Sequence, residues 1–113
     1  MTLKDKPRGK TRAEEWNFNQ ERAATVLAAA LTLARTDGYQ WITRDGVAEA
    51  AGVSPGTVSN AYGTMLDLKR AVVTEAVRLG DLTIIGQAVA SGSPLVEGVH
   101  PAVKQRALAS LVA

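Results

Sequence analysis

The chain reads as an all-α protein, a three-helix helix-turn-helix head followed by about three further helices. Three observations lead there. The stretch from Thr43 to Tyr62, TRDGVAEAAGVSPGTVSNAY, holds two short helical patterns separated by Gly52-Val53-Ser54, the layout of a helix-turn-helix. No segment sustains the period-two alternation of a half-buried strand. The hydrophobic fraction of 46% comes largely from Ala, Val and Leu, with aromatics at only 4%, which suits a compact helical bundle. With 113 residues, one domain with a modest core is expected.

The first twelve residues stand apart by charge. Lys4, Lys6, Arg8, Lys10 and Arg12 face only Asp5, so this arm is +4 and the rest of a chain of net charge +2 is −2. Basic N-terminal arms bind phosphate backbones and can enter the minor groove, which makes these five cations candidate phosphate or minor-groove contacts. Ala13 to Phe18 reads as a lead-in, with Trp16 and Phe18 available to staple it to the core. Asn17 or Asn19 is the expected cap of a long first helix running to about Thr36. Its buried stripe is Val26, Leu27, Ala30, Leu31 and Ala34. Asp37-Gly38 ends it, and Tyr39, Trp41 and Ile42 bridge to the next helix, with core packing expected for both aromatics.

In the central motif Thr43 is a suitable N-cap and Asp45 sits in the first turn, where the positive helix end favours an acid. Val47, Ala48 and Ala51 form a narrow apolar face, and Gly52 supplies the left-handed residue that ends the helix. Val53 plugs the space between the two helices, Ser54 caps the second, and Pro55 takes its first position, where a missing N–H costs nothing. Val58 and Tyr62 turn inward, leaving Thr57, Ser59 and Asn60 outward. A helix that only packs would favour Leu, Met and longer side chains. These small hydrogen-bonding residues suit a helix lying in a major groove. Asn60 can pair with adenine and the Thr57 methyl can meet a thymine methyl, so both are candidate base-edge contacts, while Ser59 serves base or phosphate. Residues 55–62 carry no formal charge, so affinity must come from the arm, Arg44, and the helix starts at Thr43 and Ser54.

Gly63 breaks the second motif helix and Thr64 caps the next, Met65 to Leu79, with Leu66, Val72, Val73, Ala76 and Val77 as apolar candidates. Asp81 caps a helix from Leu82 to about Ala90, a Gly/Pro-rich loop spans 93–99, and a last helix runs from Ala102 to about Val112. Ile84, Ile85, Val89, Leu108 and Leu111 exceed what the head can cover and are expected to form a homodimer interface. Such a dimer sets two reading helices about 34 Å apart, one DNA turn. The organisation is therefore a basic arm and lead-in (1–18), a DNA-binding head (19–79) and a short dimerisation region (80–113).

From about Glu21 to Val77 the chain resembles the N-terminal DNA-binding region of TetR-family bacterial repressors. The resemblance rests on a long helix ending in Asp37-Gly38-Tyr39, on TRDxVA at Thr43 to Ala48, and on AGVSxGT at Ala51 to Thr57. Tyr62 falls where the family has an aromatic closing the recognition helix, and Leu68 matches an apolar residue early in the fourth helix. It implies a dimeric, cytoplasmic transcriptional regulator, with repression as the usual effect. The family's phosphate-contacting Tyr and Lys are replaced by Ser59 and Met65. Val53 to Asn60 is also similar to the recognition helix of LacI-type repressors. Only about 34 residues follow Leu79, too few for the family's effector domain, so no small-molecule effector is expected.

With no cysteine, disulfides and thiolate metal sites are excluded, and no apolar run reaches membrane-spanning length. His100, the single histidine, stands beside Pro101 without a ligand-spaced partner, so neither a catalytic role nor a metal or cofactor is expected. The expected partner is double-stranded DNA, with no membrane association. The competing reading is a helix-turn-helix scaffold that docks another protein, such as a phage or mobile-element effector.

Overall fold

The computed structural model describes residues 12–112, and no strand occurs among them. In chain order the helices are α1 (Arg12–Asp37), α2 (Arg44–Ala51), α3 (Pro55–Tyr62), α4 (Met65–Leu79), α5 (Leu82–Ala90) and α6 (Pro101–Val112). A 3₁₀ turn, Pro94–Val96, lies in the loop before α6.

The helix starts follow from local chemistry. The Thr43 hydroxyl accepts from Gly46 N–H, Ser54 from Thr57 N–H, and Asp81 from Ile84 N–H, each satisfying a backbone donor that a first turn leaves open. At Thr64 the capping is reciprocal, since its hydroxyl takes Asp67 N–H while the Asp67 carboxylate takes Thr64 N–H. The Thr64 N–H and hydroxyl, both donating to Asp67 Oδ2, hold the Asp67 carboxyl below the usual carboxylate range. At the other end of α2, Gly52 adopts φ 72° and its N–H returns to the last carbonyls of the helix. A side chain there would be strained, which is why the turn into α3 uses glycine.

α1 packs across α2, α3 and α4, and α5 closes the far end by packing on α4 and on the C-terminal part of α1. The core is one cluster of small and branched side chains: Val26, Ala30 and Ala34 from α1, Val47 from α2, Val58 from α3, Leu68, Val72 and Val73 from α4, and Ile84 and Ile85 from α5. Burying each Val or Ile contributes about 1.5–3 kcal/mol. The turn after α1 is fastened to α5 by one amide. Gln87 Oε1 accepts from Tyr39 N–H at 3.0 Å, and Gln87 Nε2 donates to the Ala34 carbonyl at 2.8 Å. Arg35 pairs with Asp81 at the start of α5, and Tyr39 Oη lies 3.0 Å from Ser91 Oγ. α6 packs on α5, and the two backbones approach closely at Gly86, where a Cβ would stand 2.5 Å from the Ala107 carbonyl oxygen.

Several expectations are corrected here. α1 begins at Arg12, so neither Asn17 nor Asn19 caps it and the supposed lead-in is helical. Ala13, Glu14, Gln20 and Arg22 are good helix formers, and the core-facing stripe anchors the helix downstream. Trp16 is 63% exposed and does not staple this segment to the core, and the Phe18 ring lies under the Arg22 guanidinium. Tyr39 is buried, but Trp41 is 73% exposed, because the turn held by its N–H bond to the Gly38 carbonyl projects it outward. Leu66, two residues and so about half a turn from the buried Leu68, is exposed, as is Val77. Ile84 and Ile85, expected at a dimer surface, are 0% and 1% exposed because α1, α4 and α6 cover α5 within the same chain. Val89 is half-buried.

Candidate nucleic-acid interface

α3 is anchored from inside. Val58 is fully buried, Val53 wedges beneath the turn, and Tyr62 Oη donates to the Ala23 carbonyl of α1 at 2.9 Å. Burial, and behind it the Glu75 carboxylate, pushes the Tyr62 hydroxyl above its usual range. It is therefore a neutral donor at physiological pH. With 58 and 62 committed inward, the helical period turns 57 and 60 to the other side. Asn60 is exposed, and Thr57 and Ser59 are half-buried.

The hydroxyls at the helix starts are partly committed to capping. Ser54 Oγ accepts from Thr57 N–H at 3.2 Å and lies 3.0 Å from Thr57 Oγ1. Thr43 Oγ1 accepts from Gly46 N–H at 3.0 Å. Thr43, Arg44 and Ser54 are exposed, and Arg44 is the first residue of α2. Arg12 opens α1, whereas Lys4, Lys6, Arg8 and Lys10 lie outside the described residues.

The early start of α1 changes the surroundings of α3. Its first turns run beside α3 and leave between the two helices a half-open groove of about 440 Å³. Trp16, Asn19, Gln20 and Arg22 line one wall, and Thr57 and Asn60 line the other. The α1 wall escaped the sequence reading, although a signal was there: 16, 19, 20 and 23 are spaced i, i+3, i+4, i+7 and continue the stripe that becomes Leu27, Ala30 and Ala34. A helix start at Asn17 or Asn19, as the capping preference of asparagine suggests, hides that register.

The expected interface residues of the C-terminal part divide. Leu108 and Leu111 are 39% and 41% exposed on α6, while Ile84 and Ile85 belong to the core. His100 is exposed, and its Nδ1 accepts from Ala102 N–H at 3.0 Å across the start of α6. Among the described residues there is no cluster of three His, Cys, Asp or Glu fit to hold a metal, and no helix long and apolar enough to cross a membrane. No family model, curated protein or solved structure matches the chain. The described residues thus form an all-α fold in which two short helices, α2 and α3, meet at Gly52-Val53-Ser54 and α3 turns a polar, uncharged face outward.

Proposed function

We propose that the chain is a sequence-specific DNA-binding transcriptional regulator with a TetR-like head, a repressor acting as a cytoplasmic homodimer. One observation carries this reading. α3 is capped at Ser54, locked inward through Val58 and Tyr62, and offers only Thr57, Ser59 and Asn60, short and without charge, on its other side. Such a face fits the floor of a major groove, where amides and hydroxyls pair with base edges and a methyl meets thymine. The resemblance of Glu21 to Val77 to the family's DNA-binding region supports the same assignment. Affinity then comes from the basic arm, Arg44 and the open N–H groups at the starts of α2 and α3. Pairing of two copies involves the exposed Leu108 and Leu111 of α6.

The test is selection of bound duplexes from a random-sequence pool by the full chain, followed by titration of the enriched site. Enrichment of one motif, bound at least a thousandfold tighter than scrambled duplex, is expected. Failure to enrich any motif, by a folded protein, sinks the assignment. That outcome would favour the protein-docking scaffold, for which exposed Trp41 and Leu66 are available anchors.

A further inference from the structure

Resting on the DNA-binding reading, we propose that the groove between the first turns of α1 and α3 takes one sugar–phosphate strand of the duplex. In it Asn19, Gln20 and Arg22 contact phosphate and Trp16 lies against deoxyribose. Three observations point there.

The first is the character of the α1 stripe. From Ala23 to Ala34 this face is apolar and packs on the head, but one turn earlier it becomes Asn19 and Gln20, with Trp16 beyond. Asn19 and Gln20 are exposed along this face, so their amides stay hydrated until a polar ligand replaces the water. The amides of Asn19, Gln20 and Asn60 make no hydrogen bond to another described residue. They are open to a ligand.

The second is charge. Among the described residues no carboxylate lines the groove, and the one ionised group there is Arg22. The Arg22 guanidinium rests 4.5 Å from the centre of the Phe18 ring, which limits its freedom before anything binds. Amide N–H donors plus a pre-oriented guanidinium suit an anionic, oxygen-rich strand.

The third is continuity. Thr57 and Asn60 line the groove and also form the face that would meet bases. A helix that reaches base edges lies between the two strands of the major groove, so a wall standing beside it meets one of those strands. α1 thereby supplies the phosphate contacts that the uncharged α3 lacks, and it starts at Arg12, where the basic arm joins.

The experiment compares the full chain with N19A/Q20A and with R22Q, on the enriched duplex and on a scrambled one. Each variant is expected to weaken binding roughly tenfold on both duplexes, to keep the wild-type base preference, and to leave the melting temperature unchanged. For R22Q the slope of log affinity against log salt should shallow by about one. In a W41F background Trp16 is the only indole, and its emission should change on binding cognate duplex. Unchanged affinity and slope would overturn the proposal, as would tighter binding, which would mean that the α1 wall obstructs the duplex. A loss confined to one base-pair position would overturn it too, because the groove would then be reading a base. In each of those cases the wild type still binds its site; a wild type that enriches nothing brings down the underlying assignment instead.

Discussion

Tyr62 does two things at once: it fills space under α3, and its hydroxyl ties that helix to the Ala23 carbonyl of α1. Removing only the oxygen, in Tyr62→Phe, should cost about 1 kcal/mol in denaturant unfolding. The pH dependence has a definite sign. The folded-state pKa lies above the unfolded value of about 10, so the contribution is whole below pH 10 and is lost as pH rises through the folded value. Stability of the wild type should therefore fall more steeply above pH 10 than that of Tyr62→Phe. Equal slopes would show that the hydroxyl is not held as described. At this scale the local features were readable: Thr43, Ser54, Thr64 and Asp81 cap their helices because capping needs only neighbours within three residues. Trp41 and Gln87 were not. The chain shows neither how the Gly38–Trp41 turn aims its side chain nor which carbonyl an isolated amide finds some fifty positions away.

The helices differ in what holds them. α2 and α3, eight residues each, would be marginal alone and persist through caps and packing, and their glycine and serine punctuation made their bounds legible. The start of α1 was misjudged because asparagine is both a good cap and a tolerated helix residue; the amphipathic register extending to Trp16 was the better guide. α5 and α6 meet through the absent side chain of Gly86. In Gly86→Ala the new Cβ would stand 2.5 Å from the Ala107 carbonyl oxygen and 3.0 Å from Leu111 Cγ, so the helices must part. A net loss of about 2 kcal/mol is expected, overpacking outweighing the better helix propensity of alanine. The same change at Gly98, where nothing lies within 4 Å, is the control and should be near neutral. If Gly86→Ala unfolds like Gly98→Ala, the close α5–α6 approach is wrong.

On the scale of the whole molecule, the all-helical class and the run of six helices were legible, because period and punctuation are written locally. How α5 docks was not. The apolar surplus in Ile84 and Ile85 looked like a surface for a second copy, yet α5 spends it on the chain's own core, fastened by Gln87 and by the Arg35–Asp81 pair. A dimer would therefore use α6. Sedimentation equilibrium at micromolar concentration should find a dimer for the full chain and a monomer for Leu108→Lys, with unchanged helicity. A monomeric wild type would remove the dimer and with it the two-half-site geometry. The central claim, that the outer side of α3 reads DNA, is tested most directly by titrating wild type and Asn60→Ala against every single-base variant of the enriched site. Asn60 is exposed and unbonded, so folding should be untouched. The expected result is a loss of about 1–3 kcal/mol on the enriched site, with preference relaxed at one base pair and retained at the others. Equal affinity of both proteins for every duplex would contradict it.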